Sequence, residues 1–276
     1  MSKITSKTAA LALEAVRAKR PLVHHITNYV TVNDCANIVL AIGASPLMAD
    51  ALSEAEDIVA IASALVLNIG TLNERTVESM LAAGKKANAL GIPVVFDPVG
   101  AGASPFRNRV TEDIVKNIRL SVLRGNMSEI RFVAGLSATG KGVDASDSDM
   151  ARGLDEGIDM ATGLAKSLKA VVAVTGAIDI VSDGQRTVTL ENGHKRLSDI
   201  TGTGCMATAL IGAFLGANED PLLAASAALL SMGIAGELAY EEAGMMGTGS
   251  YRVALIDAIS LLNGKTLAGR ARINEV

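Results

Sequence analysis

The sequence has no tryptophan, and phenylalanine and tyrosine supply only 3% of its 276 residues. A core without large rings has to be built from Ala, Val, Ile, Leu and Met, with backbones in close approach at many of the 27 glycines. The 49% hydrophobic share is ample for that. Cysteine is nearly absent as well. Cys35 and Cys205 are the two, far apart and in no CxxC pair, which excludes a disulfide scaffold and a thiolate zinc site. Long runs of one charge are missing and the net charge is −4, so there is neither a nucleic-acid footprint nor a polybasic membrane patch. The longest apolar runs, Met206–Ala217 and Pro221–Gly236, are broken by "NED" and by Glu237. Each is too short to span a bilayer comfortably. Lys3, Lys7 and Glu14 rule out a signal peptide at the start. A soluble cytoplasmic protein with no nucleic-acid or membrane partner is expected. No repeat, low-complexity linker or boundary divides the chain, so a single domain over residues 1–276 is expected.

What the sequence does have is a regular alternation of elements. "TSKTAALALEAVRAKRP" reads as an amphipathic helix stopped by Pro21. Short apolar strands follow at "LVHHI", "ALVLNIG", "IPVVFD", "LSVLRG" and "AVVAVTG". Between them lie helices from Thr31 to Gly43, over "SEAEDIVAIASA" with a capping box from Ser53 to Glu56, from Asn73 to Gly91, over Phe106–Ile118, from Asn126, and over Met150–Leu168 after the polar loop "GKGVDASDSD". The pattern then changes. "DIVSDGQRTVTLENGHK" alternates around an Asp-Gly and an Asn-Gly, which predicts antiparallel hairpins. The remainder predicts helices over Gly202–Ala217, Pro221–Glu242 and Tyr251–Asn263. Strands separated by helices make βαβ units: an α/β fold with a mostly parallel central sheet, helices on both faces and an antiparallel edge.

Ligands in such sheets bind outside the carboxyl ends of the strands. "HHITNYV", "NIGTL", "DPVGAGAS", "LRGNMSE" and "VTGAID" all fall there, joined by the helix start "TGTGC". Glycines at a helix start either relieve crowding or open an anion hole of N–H groups backed by the helix dipole. "DPVGAGAS" is a strand-ending turn or a phosphate approach with Asp97 near a metal. Asn126 and Glu129 form an N-cap with its third-position acid, or bind nucleotide and, through water, Mg²⁺, which takes few protein carboxylates. Arg124 suits a phosphate. His24 and His25 are adjacent in a strand and face opposite ways, one toward the core and the other toward a pocket. His194, after an Asn-Gly, is expected in solvent. Met48 in "ASPLMAD" either packs or meets a ring. No GxGxxG follows the first strand, which disfavours a Rossmann dehydrogenase.

Taken in order, "HHITNYVTVNDCAN", "GASPLMA", "NIGTL", "VVFDPVGAGA", "LRGNMSEI", "VTG" and "DITGTGCMATALIGA" resemble the hydroxyethylthiazole kinases, a thiamine-salvage branch of the ribokinase-like superfamily. The match runs from Pro21 to Ala217, and the C-terminal helices match in character only. The resemblance implies a ribokinase-like three-layer sandwich, ATP-dependent phosphorylation of the alcohol of 4-methyl-5-(2-hydroxyethyl)thiazole, and a homotrimer with sites at subunit interfaces. It places Met48 and Gly202, with Asn28 and Gly70, at the thiazole, and Arg124 and Thr175 at ATP. Cys205 stands where the wider superfamily has an aspartate base, and thiazole kinases commonly carry cysteine there. The alternatives are a kinase for hydroxymethylpyrimidine, a sugar or a pyridoxal-like alcohol, which Cys205 argues against. A nucleotide-dependent repair hydratase and a non-catalytic nucleotide sensor are the others.

Overall fold

The computed structural model describes residues 3–135 and 147–276. The chain alternates as expected: α1 (Ser6–Lys19), β1 (Leu22–Ile26), α2 (Val32–Ile42), β2 (Ser45–Met48), α3 (Leu52–Ala60), β3 (Ala64–Asn68), α4 (Glu74–Leu90), β4 (Val94–Asp97), α5 (Pro105–Asn117), β5 (Val122–Asn126), α6 (Met127–Val133), α7 (Asp147–Leu168) and β6 (Val171–Thr175). Then come β7 (Asp179–Ser182), β8 (Thr187–Leu190), a 3₁₀ turn over Lys195–Asp199, α8 (Thr203–Ala217), α9 (Pro221–Ala243), α10 (Thr248–Leu261), α11 (Gly264–Arg270) and β9 (Ile273–Glu275).

All nine strands form one sheet in the order β2-β1-β3-β4-β5-β6-β7-β8-β9. The strands from β2 to β6 are parallel, and β6 through β9 pair antiparallel. The parallel strands are buried on both faces, which is why "ALVLN" is apolar without alternation. Val23, Val66, Val95 and Ala173 face a core with Leu13, Ile38, Phe214 and Leu230 of α1, α2, α8 and α9. Leu65, Leu67, Phe96 and Val172 face a second core with Ala55, Met80, Ile114 and Ala161 of α3, α4, α5 and α7. The result is the expected three-layer sandwich.

Several local expectations are corrected. β2 is a strand that its own residues hide: it is four residues long, contains Pro46 and lies at the sheet edge, where a missing N–H is tolerated. Helix α3 starts earlier than expected, after Ala51, so Ser53 sits inside the first turn and makes no cap. Of the two expected turns, Asp183-Gly184 makes a hairpin, β7–β8, and a further hairpin joins β6 to β7 across residues 176–178. The backbone after Asn192-Gly193 winds into the 3₁₀ turn instead, because the neighbour of β8 is the C-terminal strand β9. Neither α11 nor β9 was expected. Helix α9 is long and apolar enough to cross a membrane by length and composition, but 83% of its apolar window is buried inside the protein. Residues 140–146 of the "GKGVDASDSD" stretch lie outside the described residues.

Candidate active site

The expected segments do converge. Strands β1, β3, β4, β5 and β6 end on one edge of the sheet, and the start of α8 meets them there. At the centre is a buried polar cluster. Asn28 Nδ2 donates to Asn68 Oδ1 at 2.9 Å and to Cys205 Sγ at 3.3 Å. Asn68 Nδ2 donates to Cys205 Sγ at 3.3 Å and to Asp97 Oδ2 at 3.1 Å. Thr208, one helical turn beyond Gly204, donates to the same Asp97 oxygen at 2.7 Å. Arg124 Nη1 lies 3.5 Å from it. Thr31 donates to Asn28 Oδ1 through both N–H and hydroxyl, and the Gly70 N–H donates to Asn68 Oδ1 at 2.9 Å. The side-chain amides of Asn28 and Asn68 are fully held by these neighbours, as a buried polar network requires.

Two groups in the cluster have strained electrostatics. Burial pushes the Asp97 carboxyl up to about 6, against the pull of Arg124 and Thr208, with Glu129 adding to the rise. Its second oxygen, Oδ1, is buried with no partner among the described residues. Burial, then the Asp97 charge, raises the Cys205 thiol, while hydrogen bonds from Thr31, Asn68 and Asn28 oppose the rise. Cys35, behind it on α2, is pushed up to about 12 by burial and then by Cys205.

Close approach explains the glycines at the helix start. Gly202 caps α8 with φ +86°, and a Cβ there would lie 2.4 Å from Thr31 Cγ2. A Cβ on Gly204 would lie 2.7 Å from Arg124 Nη1. The start of α8, the positive end of its dipole, is therefore packed closely against both Thr31 and Arg124.

Two cavities flank this cluster. One, of about 520 Å³, is lined by Arg124, Thr175, Asn192, His194, Thr203 and Gly204, among others. Arg124 is held there by Thr175, whose Oγ1 accepts from Nη2 at 2.6 Å. The other, of about 310 Å³, is lined by His25, Thr27, Tyr29, Val32 and Met48, with a polar mouth that includes Arg75. His25 lines that cavity while His24 turns to the Ala49 carbonyl at 2.7 Å, so the histidines divide as expected. His194 is not solvated as expected: it is half-buried and stacks on Tyr240 at 3.7 Å.

The structure places Asn126 and Glu129 in a capping box. Asn126 Oδ1 accepts the Glu129 N–H at 2.9 Å, and Glu129 Oε2 accepts the Asn126 N–H at 2.8 Å. Glu129 Oε1 also takes the Gly100 N–H at 2.9 Å, tying the "DPVGAG" loop to the end of β5. Asn126 is outside both cavities. Asn68, Thr208 and Arg107 do not stand out in the sequence. Asn68 had a signal, a polar residue ending an apolar strand. Arg107 joins two loops by donating to the carbonyls of Ile69, Val99 and Gly70.

Comparison with known proteins settles the family. Residues 13–265 match the model of the hydroxyethylthiazole kinase family. The chain belongs to that family. Membership makes it an enzyme, a kinase. A hydroxyethylthiazole kinase of Clostridium beijerinckii is 62% identical over 275 residues, covering 100% of this chain and 99% of the relative. One from Methanocella arvoryzae is 48% identical, covering 95% and 96%. The solved hydroxyethylthiazole kinase of Pyrococcus horikoshii superposes with a TM-score of 0.89 at 44% identity, covering 98% of this chain and 99% of that one. A Bacillus subtilis pyridoxal kinase shares the fold, with a TM-score of 0.58 at 17% identity over 78% of this chain and 91% of the other. The mixed sheet with a parallel centre, an antiparallel edge and helices on both faces is shared with these two solved structures.

Proposed function

We propose that this hydroxyethylthiazole kinase family member transfers the γ-phosphoryl group of ATP directly to the hydroxyl of 4-methyl-5-(2-hydroxyethyl)thiazole, at the Asn28–Asn68–Asp97–Cys205 cluster. The observation that carries the reading is this cluster's place beside two cavities, one taking in Arg124, Thr203 and Gly204 and the other Thr27 and Tyr29 on either side of Asn28. The thiazole lies in the cavity with Met48, and the hydroxyl reaches toward Asn28, Gly70, Gly202 and Cys205. ATP lies in the larger cavity with Arg124 and Thr175, its phosphates toward the N-terminus of α8. The hydroxyl oxygen attacks the γ-phosphorus, the bond to the β-phosphate oxygen breaks, and ADP leaves. Such transfers depend on positioning and on charge stabilisation. Arg124 and the N–H groups of Thr203, Gly204 and Cys205 supply that charge stabilisation. Cys205 occupies the base position. Its raised thiol keeps its proton at neutral pH, so little thiolate is present to accept one from the substrate, and this suffices because a loose transition state asks for little proton removal early on.

The donor set fits Mg²⁺, a hard cation that keeps most of its waters. Asp97 has an unpartnered buried oxygen, and Glu129 holds a carboxylate at the adjoining loop. Both would hold the ion through water, where it would neutralise phosphate charge. Asn126 supports the site by capping Glu129, beside the ATP. We place the protein in the cytoplasm as a single domain over 1–276, in keeping with its two free thiols. A homotrimer with shared sites accounts for Tyr29 and Val30, large side chains 78% and 56% exposed beside the thiazole cavity.

The test is ADP release across a panel of alcohols. Release should require the thiazole alcohol and Mg²⁺, and be far weaker with hydroxymethylpyrimidine or ribose. Equal turnover of hydroxymethylpyrimidine overturns the assignment.

A further inference from the structure

The 310 Å³ cavity contains an imidazole with no hydrogen-bond partner among the described residues. His25 is 1% exposed, and neither Nδ1 nor Nε2 has a partner among the described residues. Burying an unpaired polar group costs free energy, so a native site that keeps one has a use for it. The polar groups at the mouth of the cavity are already engaged. Arg75 pairs with Asp50 at 2.8 Å, Thr76 bonds Asn73, and Thr71 Oγ1 accepts the Tyr29 N–H. His25 is the lining residue whose buried polar atoms are unmatched.

Its placement is set by the sheet. His25 pairs in register with Met48 on one side and Val66 on the other. It therefore shares a face with Val23 and Val66, toward α2 and α8. Thr27 and Tyr29, which flank Asn28, line the same cavity. A ring lying against Met48 has His25 as its next neighbour along the sheet. Burial, then the nearby His24, pushes the His25 ring down to about 3. It is neutral at working pH, with one N–H donor and one bare nitrogen.

We infer that His25 reads the substrate's ring, its N–H donating to the unsubstituted ring nitrogen of a neutral azole alcohol. This rests on the reading that the cavity takes the thiazole. It makes His25 a specificity-determining residue: it distinguishes an azole with a free lone pair from a carbocyclic or sulfur-only isostere of the same shape. A hydrogen-bonding site rejects an analogue lacking the partner because its own polar atom is then left unpaired.

The experiment compares kcat/KM for the thiazole alcohol and for its thiophene isostere, in which C–H replaces the ring nitrogen. The wild type should prefer the thiazole on the order of tenfold, the usual worth of one neutral hydrogen bond. His25→Phe should reduce the preference to within about twofold. His25→Gln, which restores an N–H donor, should keep part of it. An unchanged preference in His25→Phe overturns the inference. Should that variant fail to fold, nitrogen-15 NMR of the wild type decides. The His25 ring resonances should move on binding the thiazole and stay in place on binding the thiophene, and equal shifts overturn the inference. ADP release by the wild type with the thiazole reports separately on the function itself.

Discussion

Replacing Cys205 by aspartate tests what the sulfur does. The thiol accepts N–H bonds from Asn28 and Asn68, each at 3.3 Å, so a carboxylate there would meet two ready donors and bind them more strongly. At pH 7.5 an ordinary thiol, with a pKa of about 8.5, is about one-tenth ionised. Cys205 is raised above its usual range by burial and by Asp97, so its thiolate share is smaller still. An aspartate in the same place is nearly all ionised at pH 7.5, even if burial lifted it to the about 6 of Asp97. The population of ionised acceptor therefore grows roughly tenfold or more, partly offset by the weaker basicity of a carboxylate. Cys205→Asp should keep kcat or raise it by up to about tenfold. Cys205→Ala should lose at most about 10²-fold, the low end for a lost general base, because little thiolate was present to lose. The assay is kcat and thiazole KM from pH 6 to about 9 for all three proteins. Wild-type kcat should climb above neutrality as thiolate forms, and the Asp variant should be level there. A folded Asp variant that binds both ligands and is inactive refutes the placement of residue 205 at the substrate hydroxyl.

Arg124→Ala should weaken ATP about tenfold or more, the worth of a hydrogen bond to a charged group, and leave thiazole affinity within about threefold. Titrations of each ligand check this, and a larger loss for thiazole would invert the assignment of the cavities. Glu129→Gln should raise the Mg²⁺ concentration needed for half-maximal rate and lower kcat. It should also lower Tm, since an amide NH₂ would face the N–H of Gly100 or Asn126; an unchanged Mg²⁺ titration reduces Glu129 to a helix cap. Asp97→Asn should lose activity yet gain stability relative to wild type as pH rises from about 4 to about 7. The native carboxyl, raised to about 6, holds its proton longer than the unfolded chain's, so the wild type loses stability across that window. The shift of about two units sets an upper bound of roughly 3 kcal/mol. Thermal melts of both proteins across the window measure it, and a flat difference contradicts the raised carboxyl.

The parallel half of the sheet was legible because its strands are buried on both faces and its helices carry their own stops, as at Gly43 and Gly91. The antiparallel edge was less so. β9 is three residues long and exists by pairing with β8 some eighty residues earlier, and no local pattern reports that. The same holds for the clasp in which Glu237 accepts from Asn192, Gly193 and Arg272. In the site, the glycine-rich loops announced themselves by composition. Asn68, Thr208 and Arg107 did not, because their roles come from contacts between elements. Asn126 and Glu129 show the opposite case. Their spacing fits both a cap and a metal-binding role, and the structure shows the cap in place.

The central claim is direct transfer from ATP to the thiazole hydroxyl, without a phosphorylated enzyme between them. Cys205 and Asp97 of the cluster and His194 of the larger cavity are side chains that could form such an intermediate. The stereochemical course at phosphorus distinguishes the two routes, using ATP whose γ-thiophosphate is made chiral with oxygen isotopes. One in-line displacement inverts the configuration in the thiazole phosphorothioate product, and this is the predicted result. Net retention would mean two displacements and a phosphorylated enzyme, and would contradict the account.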